Sequence, residues 1–576
     1  MIEDVHEPVE LFKTIFKEAH ARHTAECFED LLRRSGVDEH ANVETVEALR
    51  VLEQHVANAN FSNRWWKAAR VATYVVGGLC LLLGYTQGTF WWLVGAAGAV
   101  ALVFLKLNPL INDVAARLDR LKNQRDAKLQ EAWQQLAPLN RLYDWDILAK
   151  LVQQTVPRVA LDPYFSNGRL DELRNTFGWN DQFNQGRSVV FAHSGVLNGN
   201  PFVVARTLDH WMGTKTYHGS LQISWTERVL GTDGRWTTVT RHETLNASVN
   251  KPYPEYGDRA AVIYGSEAAP DLSFTRAPSK LSGLEDGVIN NWRKRRAVKE
   301  LEAKSRDLKH GKGFTVMANA EFDALFGATD RDHEVQFRLL FTPLAQQEML
   351  KLLKDSEVGF GDDFRFTKQH RVNVIEPAQM SGIDISSDPA NFHAYEIAQA
   401  RKVFNDYHNR LFKSLFFGLA PLLAIPLYQQ HRSHADIYKD LTSRRSSFWE
   451  HEAIANYFGA KRFQHPDCVT HSILKTNATD EIDGTQTVRV TAYGYRGVAR
   501  VDYISVHGGD NRSHDVPVHW VEYIGVERES GFVVHEVAPE ERDAGGAAWV
   551  AAFQGRGLEP RQAVLRRSIA SAVLVG

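Results

Sequence analysis

Apolar residues follow different rhythms along this chain. Near the start they recur every three or four positions. Leu11, Phe12, Ile15, Phe16 and Ala19 form one stripe, Phe28, Leu31 and Leu32 another, and Val43, Val46, Leu49, Leu52 and Val56 a third. That spacing predicts helices with one buried face through residues 1–63. From Val71 to Leu105 the rhythm is lost, because no Asp, Glu, Lys or Arg occurs there and both halves are apolar all round. The polar stretch Tyr85-Thr86-Gln87-Gly88-Thr89 divides them. At 1.5 Å per residue each half reaches about 25 Å, enough for a thin or locally pinched bilayer. The pattern predicts a transmembrane helical hairpin, with spans at about 70–85 and 89–107. Val114, Leu118, Leu121, Leu129, Ala132 and Leu136 then resume a helical spacing up to Pro138.

The hairpin's flanks predict its orientation. Arg64, Lys67 and Arg70 precede it, and Lys106, Arg117, Arg120, Lys122, Arg125 and Lys128 follow, while the turn carries no basic residue. Positive charge stays on the cytoplasmic side, so both termini and the bulk of the chain are expected there, in a multi-pass protein of the cell membrane. Trp65, Trp66, Trp91 and Trp92 suit the two interfaces. Gly77-Gly78 and Gly95-Ala96-Ala97-Gly98-Ala99 allow the two backbones to approach closely.

Beyond Arg187 the pattern turns to alternation. Ser188 to Val196 and Pro201 to Thr207 read as strands joined at Asn198-Gly199, a two-residue hairpin signal. Tyr217 to Val229 and Trp236 to Val249 make a second pair around Gly231-Thr232-Asp233-Gly234, and Ala261 to Tyr264 extends the meander. Glu285 to Lys309 reads as a polar, basic helix around Arg293-Lys294-Arg295-Arg296, with Glu300 and Glu302 making it a solvated face. Glu321 to Phe326 reads as a helix, Glu334 to Phe341 as a strand, and Pro343 to Lys354 as a helix capped by Thr342. Phe360 to Ile375 returns to strands.

A helix from Asn391 to Lys413 runs into the apolar stretch Leu415 to Tyr428. That stretch is short for a span, holds Pro421 and Pro426, and has Arg410, Lys413 and Arg432 on its flanks. These features predict a buried or interfacial segment rather than a third span. Ala435 to Gly459 reads as helix. Thr485 to Tyr495, Val498 to Val506, Val516 to Val526 and Phe532 to Val537 read as strands of a second β unit, with a turn at Gly508 to Asn511, and Arg561 to Val573 reads as a final helix.

The expected fold is a multidomain α+β membrane protein: an N-terminal helical bundle with a transmembrane hairpin, then two mainly antiparallel β-rich cytoplasmic domains with helices between them. Its boundaries are 1–63, the hairpin 64–108, a juxtamembrane helical region 109–186, an α+β domain 187–380, a helical linker 381–460 containing 415–428, and a C-terminal β-rich domain 461–576. A length of 576 residues accommodates these parts. The net charge of -3 argues against a general nucleic-acid binder. Cys27, Cys80 and Cys468 lie far apart, which fits a reducing compartment without a disulfide framework. The charged start, from Glu3 onward, has no apolar core of a cleavable signal peptide.

Five short motifs are Asn198-Gly199-Asn200-Pro201-Phe202, Met212-Gly213-Thr214-Lys215-Thr216-Tyr217, Tyr264-Gly265-Ser266-Glu267-Ala268-Ala269-Pro270-Asp271, Leu325-Phe326-Gly327-Ala328-Thr329 and Phe341-Thr342-Pro343-Leu344-Ala345-Gln346-Gln347. Together they resemble a bacterial family of uncharacterised membrane proteins found in mycoplasmas and Gram-positive relatives. The resemblance spans most of residues 1–450. It implies the membrane architecture and brings neither an assigned activity nor known site residues.

Candidate chemistry is sparse. No glycine-rich phosphate loop with a lysine, nucleophile elbow or Cys-x-x-Cys pair occurs. His451, His465, Cys468 and His471 carry ligand types that suit zinc, but Pro466 and Asp467 make an ordinary loop, and no metal or other cofactor is expected. Asp330, Arg331, Asp332, His333 and Glu334 read as a charged turn, as do Asp362 and Asp363, while Glu267 and Asp271 sit in a segment suited to recognition. The reading is a membrane-anchored cytoplasmic scaffold, contacting the bilayer through residues 70–107 and a protein partner or its own copies elsewhere. The alternative is a membrane-associated enzyme of unknown reaction, such as a hydrolase, with catalytic residues unidentified. A pore is a more distant reading, since the spans hold no ionisable residue to mark a path.

Overall fold

The computed structural model describes residues 6–87, 90–230, 232, 235–279, 296, 299, 317–429, 445–482, 484–538, 547–559 and 563–574. The chain is an α+β protein with an N-terminal helical region and two antiparallel sheets. It divides into two compact units that do not follow chain order: residues 1–20, 148–386 and 410–576 form one, and residues 21–147 and 387–409 the other. Most of the expected basic helix at 285–309, and the first half of the one at 435–459, lie outside the described residues.

The smaller unit is built on two long helical arms. Glu39–Gln87 is one continuous helix that runs from the N-terminal helical region into the first apolar arm. The return arm runs from Phe90–Leu102 through a wider turn at Val103–Leu107 into Asn108–Asn140, carrying Pro138 within its last turn. The arms are antiparallel. Gly84 lies against Trp92 and Leu93, Gly95 against Cys80, and Gly77 faces Ala99 so closely that a Cβ there would stand 3.3 Å from the alanine's. Farther along, Arg70 Nη1 donates to Asn108 at 3.4 Å and Asn42 Nδ2 to Gln135 at 3.3 Å. At the open end, the side chains of Asn42 and Asn140 tie the backbone of the 394–397 segment. Phe28, Tyr143, Phe392 and Phe404 pack there around the buried His408.

The larger unit holds both sheets. Seven strands lie in the order β1-β2-β3-β4-β7-β6-β5: β1 Val159–Leu161, β2 Arg187–Leu197, β3 Asn200–Leu230, β4 Trp236–Gly265, β7 Val372–Pro377, β6 Phe364–Gln369 and β5 Ser273–Arg276. The second sheet runs β11-β12-β10-β9-β8, with β8 Ile473–Ile482, β9 Thr485–His507, β10 Ser513–Glu536, β11 Val564–Arg566 and β12 Ile569–Val573. Helix Phe448–Phe458 serves both cores. Its Trp449 and Ala453 join Val189, Val203 and Ile263 of the first sheet, and its Ile454 and Ala455 join Leu474, Val488 and Phe532 of the second.

Several expectations need correction. The two hairpins expected at 188–207 and 217–249 are fused, because β3 and β4 are single strands of 31 and 30 residues, each about 100 Å long at 3.3 Å per residue. Met212-Gly213-Thr214, Pro252 and Pro254 look like strand breakers, yet they lie in a two-stranded ribbon where Pro252 pairs with Thr214 and Pro254 with Met212. A proline is tolerated on an edge, where its missing N–H faces no partner. The breaks expected at 496–497 and 527–531 are likewise absent from β9 and β10. Glu334–Leu340 is a helix, not a strand. Val335 and Leu339 are the exposed positions while Phe337 and Leu340 are buried, a helical spacing, and His333 caps the first turn through the Gln336 N–H. The expected last helix at 561–573 is the hairpin of β11 and β12, turning at Arg567 and Ser568 with φ of 43° and 64°. Ile569, Ala570, Ser571 and Ala572 are all buried, so neither face shows the polar alternation that marks a strand.

The apolar stretch 415–428 is core. Helix Ile397–Leu423 carries Pro421 within it, and Leu415, Phe416, Phe417, Leu419, Leu422 and Leu423 are buried. Phe12 packs its ring 4.9 to 6.0 Å from those of Phe412, Phe416 and Phe417.

Candidate functional site

The smaller unit carries a bare apolar hairpin, and the larger unit a pair of crossed β-ribbons. Both helical arms are long and apolar enough to cross a membrane, and only 6% and 17% of their most apolar windows are buried. Val71, Val75, Leu79, Leu82, Trp91, Leu93, Val100, Leu102 and Leu105 are all exposed. A soluble core helix buries one face, and exposed apolar patches beyond a few hundred Å² mark a surface that meets protein or lipid.

Beyond the main sheets, β3 with β4 and β9 with β10 project as two-stranded ribbons that lie on one another. Ile223, Leu245 and Val516 form their shared core, with Leu221, Trp225, Ala247 and Val506 packed around it. Gly219 lies beneath the Pro517 carbonyl, where a Cβ would collide, so this crossing needs glycine. The Gly509 N–H donates to Glu243 at 2.7 Å, Lys251 pairs with Asp502 at 2.6 Å and stands 4.2 Å over the Trp520 ring, and Tyr256 donates to Thr470 at 3.1 Å. Among the described residues, β3 from Trp211 onward pairs only with β4. Each ribbon therefore carries strand edges without a ladder partner.

The candidate metal ligands are not gathered. His451 is buried on its helix, with Nε2 2.9 Å from Ser446 Oγ. His465 Nδ1 accepts the Asp467 N–H at 3.1 Å, closing its own loop. Cys468 Sγ sits 3.6 to 3.7 Å from Thr470 and Ser472 oxygens, and the exposed His471 lies edge-on to Tyr256 at 5.3 Å. Among the described residues no three His, Cys, Asp or Glu side chains are placed to share an ion.

The acidic candidates serve the fold. Asp330 and Asp332 accept the N–H groups of Thr275 and Ser273 in β5, and Asp271 pairs with Gln336. Arg331 is wholly buried and bridges Asp323 at 2.6 Å and Glu334 at 2.8 Å. Asp362 pairs with the buried Arg276 and also caps Ser279. Asp363 is raised by burial. Glu267 is exposed.

Sequence reasoning missed three buried polar groups, each joining residues far apart in the chain. In the first, Ser446 Oγ donates to Glu536 at 2.6 Å and faces His451. Since the hydroxyl proton goes to Glu536, the 2.9 Å contact is made by a proton on His451 Nε2. A nucleophilic serine needs the reverse, a free Nε2 and an acid on Nδ1; here His451 Nδ1 has no partner and Ser446 is fully buried. In the second, Glu450 faces Arg567 at 2.8 Å and Arg566 at 3.9 Å, while Asp162 holds Arg169 through two 3.0 Å bonds and accepts from Ser194 at 2.6 Å. In the third, Lys368 donates to the carbonyls of Ala268 and His370, its pKa lowered by burial to about 7, beside Tyr264, Tyr428, Asn200 and Asn373 in one hydrogen-bonded group.

Adjacent residues His451 and Glu452 give the larger unit opposed pH responses. Burial lowers His451 to about 4 from 6.5, so between those values the unfolded chain takes a proton that the native chain does not, and stability falls as pH drops. Burial raises Glu452 to about 7 from 4.5, against the pull of Lys475, so stability falls as pH rises across that window. From pH 4.5 to 6.5 the two slopes offset one another. His193, also fully buried, is lowered in the same way and adds to the His451 slope. In His451→Asn one of these two histidine slopes is gone, so the variant should gain stability relative to the parent as pH falls from 6.5 to 4.5, by about 3 kcal/mol read by chemical denaturation. Parallel pH curves for the two chains would contradict the assignment.

No family model matches the chain, no curated protein matches it, and no solved structure matches it.

Proposed function

We propose that this chain is a membrane-anchored scaffold whose hairpin, residues 70–107, spans the bilayer and whose remainder faces the cytoplasm. There its crossed ribbons would bind a protein partner or a second copy of the chain. The observation that carries the reading is the bare apolar surface along both arms of the hairpin. Holding that surface in water is costly, and a bilayer supplies the apolar surroundings it lacks. The orientation rests on charge: Arg64, Lys67 and Arg70 enter one arm and Lys106 leaves the other at the open end, and the turn has no basic residue. The binding role rests on the ribbons' unpaired strand edges, which can accept an added strand. Kinship with the membrane-protein family is part of the same reading and rests on its motifs alone.

Site-directed labelling tests it. In a chain with Cys27, Cys80 and Cys468 replaced by serine, a cysteine at Gln87 should react with an impermeant thiol reagent on intact cells. A cysteine at the exposed Lys461 should react only after lysis. Labelling of Lys461→Cys on intact cells would reverse the orientation, and protection of both positions would remove the span.

A further inference from the structure

The geometry points to a ligand site in the larger unit, a cleft on one face of the seven-stranded sheet that takes a small carboxylate with an aromatic or apolar body. The cleft has a volume of about 490 Å³, within the range of small-molecule sites. Its wall is aromatic, from Phe177, Trp179 and Phe183, and its floor is Val372 and Val374 of β7. Phe183 stacks on the buried Trp449 at 5.9 Å and 8°, and Trp179 lies 5.1 Å away, so the wall is held from behind.

At one end of this apolar surface stands Arg187. Its guanidinium lies 4.4 Å over the Phe183 ring, its Nε faces Asp209 at 3.3 Å, and its Nη1 is buried without a hydrogen-bond partner. A guanidinium short of acceptors is costly, and a planar carboxylate is the acceptor that fits the forks of Arg187 and Arg259, which both line the cleft. The surrounding charge selects the valence. Arg187 and Arg259 share Asp209, at 3.3 and 3.0 Å, while Arg259 and Arg365 share Glu376, at 2.8 and 3.5 Å. Three guanidiniums against two carboxylates leave one positive charge, which a monoanion neutralises and a dianionic phosphate overfills. Burial, partly opposed by Asp209, also depresses Arg187, in keeping with a cation short of a counter-charge. The same chemistry is offered by a free aromatic acid and by the terminal residue of a peptide. The site is independent of the membrane reading, since nothing in it involves the hairpin.

The test is calorimetric titration of the full chain in detergent with 3-phenylpropionate, its neutral amide, inorganic phosphate, and a hexapeptide ending in Phe with either a free or an amidated terminus. The acid should bind, the amide at least about tenfold more weakly, and Arg187→Gln should weaken the acid by a similar factor while its melting temperature is kept. Arg187→Lys, which keeps the charge but not the fork, should fall between. If Arg187→Gln does not fold, the acid and amide compared on the parent chain decide the matter. A free-acid peptide that outbinds 3-phenylpropionate supports the site with a chain terminus as its source, and the opposite order supports it with a free acid. Equal affinity for acid and amide, tighter binding of phosphate, or no heat from either acid at millimolar concentration would each overturn the proposal.

Discussion

After washing with alkaline carbonate, the full chain is expected to stay in the membrane pellet, and a chain lacking residues 64–108 to move to the supernatant. The expectation follows from where the large apolar side chains are. In the hairpin Leu79, Leu82, Leu102 and Phe104 are about half exposed or more, whereas in the other long apolar stretch, 415–428, every residue from Leu415 to Ile425 is buried. Removing the first therefore removes the surface that needs lipid, and the second stays covered by Phe12 and its neighbours. A finer version keeps the chain whole. Leu79→Arg places a charge near the middle of its span, at about 2.5 to 3.5 kcal/mol, Leu102→Arg places one nearer the open end at a lower cost, and the pair should release a large share of the protein from the membrane. If the arms instead lay against water, both changes would raise solubility and alter nothing else. Recovery of the unmodified chain in the carbonate supernatant would end the membrane reading.

What the sequence displayed, and what it hid, follows from how local each signal is. The stripe from Val43 to Val56 and the charge-free run from Val71 to Leu105 are complete within a few helical turns, and both lie on helices. The Thr342 cap and Asn198-Gly199 turn are equally local, and the structure has both. The long ribbons were hidden because glycine and proline at 213, 252 and 254 mimic strand ends, and only a free edge makes them tolerable. Glu334–Leu340 misled because Val335, Phe337 and Leu339 alternate by chance, while the core selects Phe337 and Leu340. The buried polar groups were invisible for a different reason. Ser446 meets Glu536 ninety positions away, and the cleft draws Phe183, Arg187, Arg259 and Val374 from three strands and a short 3-10 helix. No spacing rule connects such residues before the sheet is formed.

Glu450→Ala is expected to be the most damaging single substitution in the larger unit. Its carboxylate is fully buried and accepts from Arg567 at 2.8 Å and from the Phe165 N–H at 3.3 Å, with Arg566 at 3.9 Å. Both arginine side chains are almost fully buried themselves, and Arg567 also donates to the Ala192 carbonyl at 2.8 Å. Taking the acid away leaves a desolvated guanidinium without its counter-charge, which costs about 3 to 5 kcal/mol. The reverse deletion is milder. In Arg567→Met the carboxylate keeps Arg566 and the Phe165 N–H, and methionine fills the space against Phe191, which the guanidinium overlies at 5.2 Å. Combining the two should recover part of the loss of Glu450→Ala, because replacing a buried pair by apolar groups is often close to neutral. Chemical denaturation of the four chains would give the order: parent most stable, then Arg567→Met, the double variant, and Glu450→Ala last. A double variant less stable than Glu450→Ala would mean that Arg567 contributes through its packing and the Ala192 bond, and that the charge pair is not what holds β11 and β12 to this core.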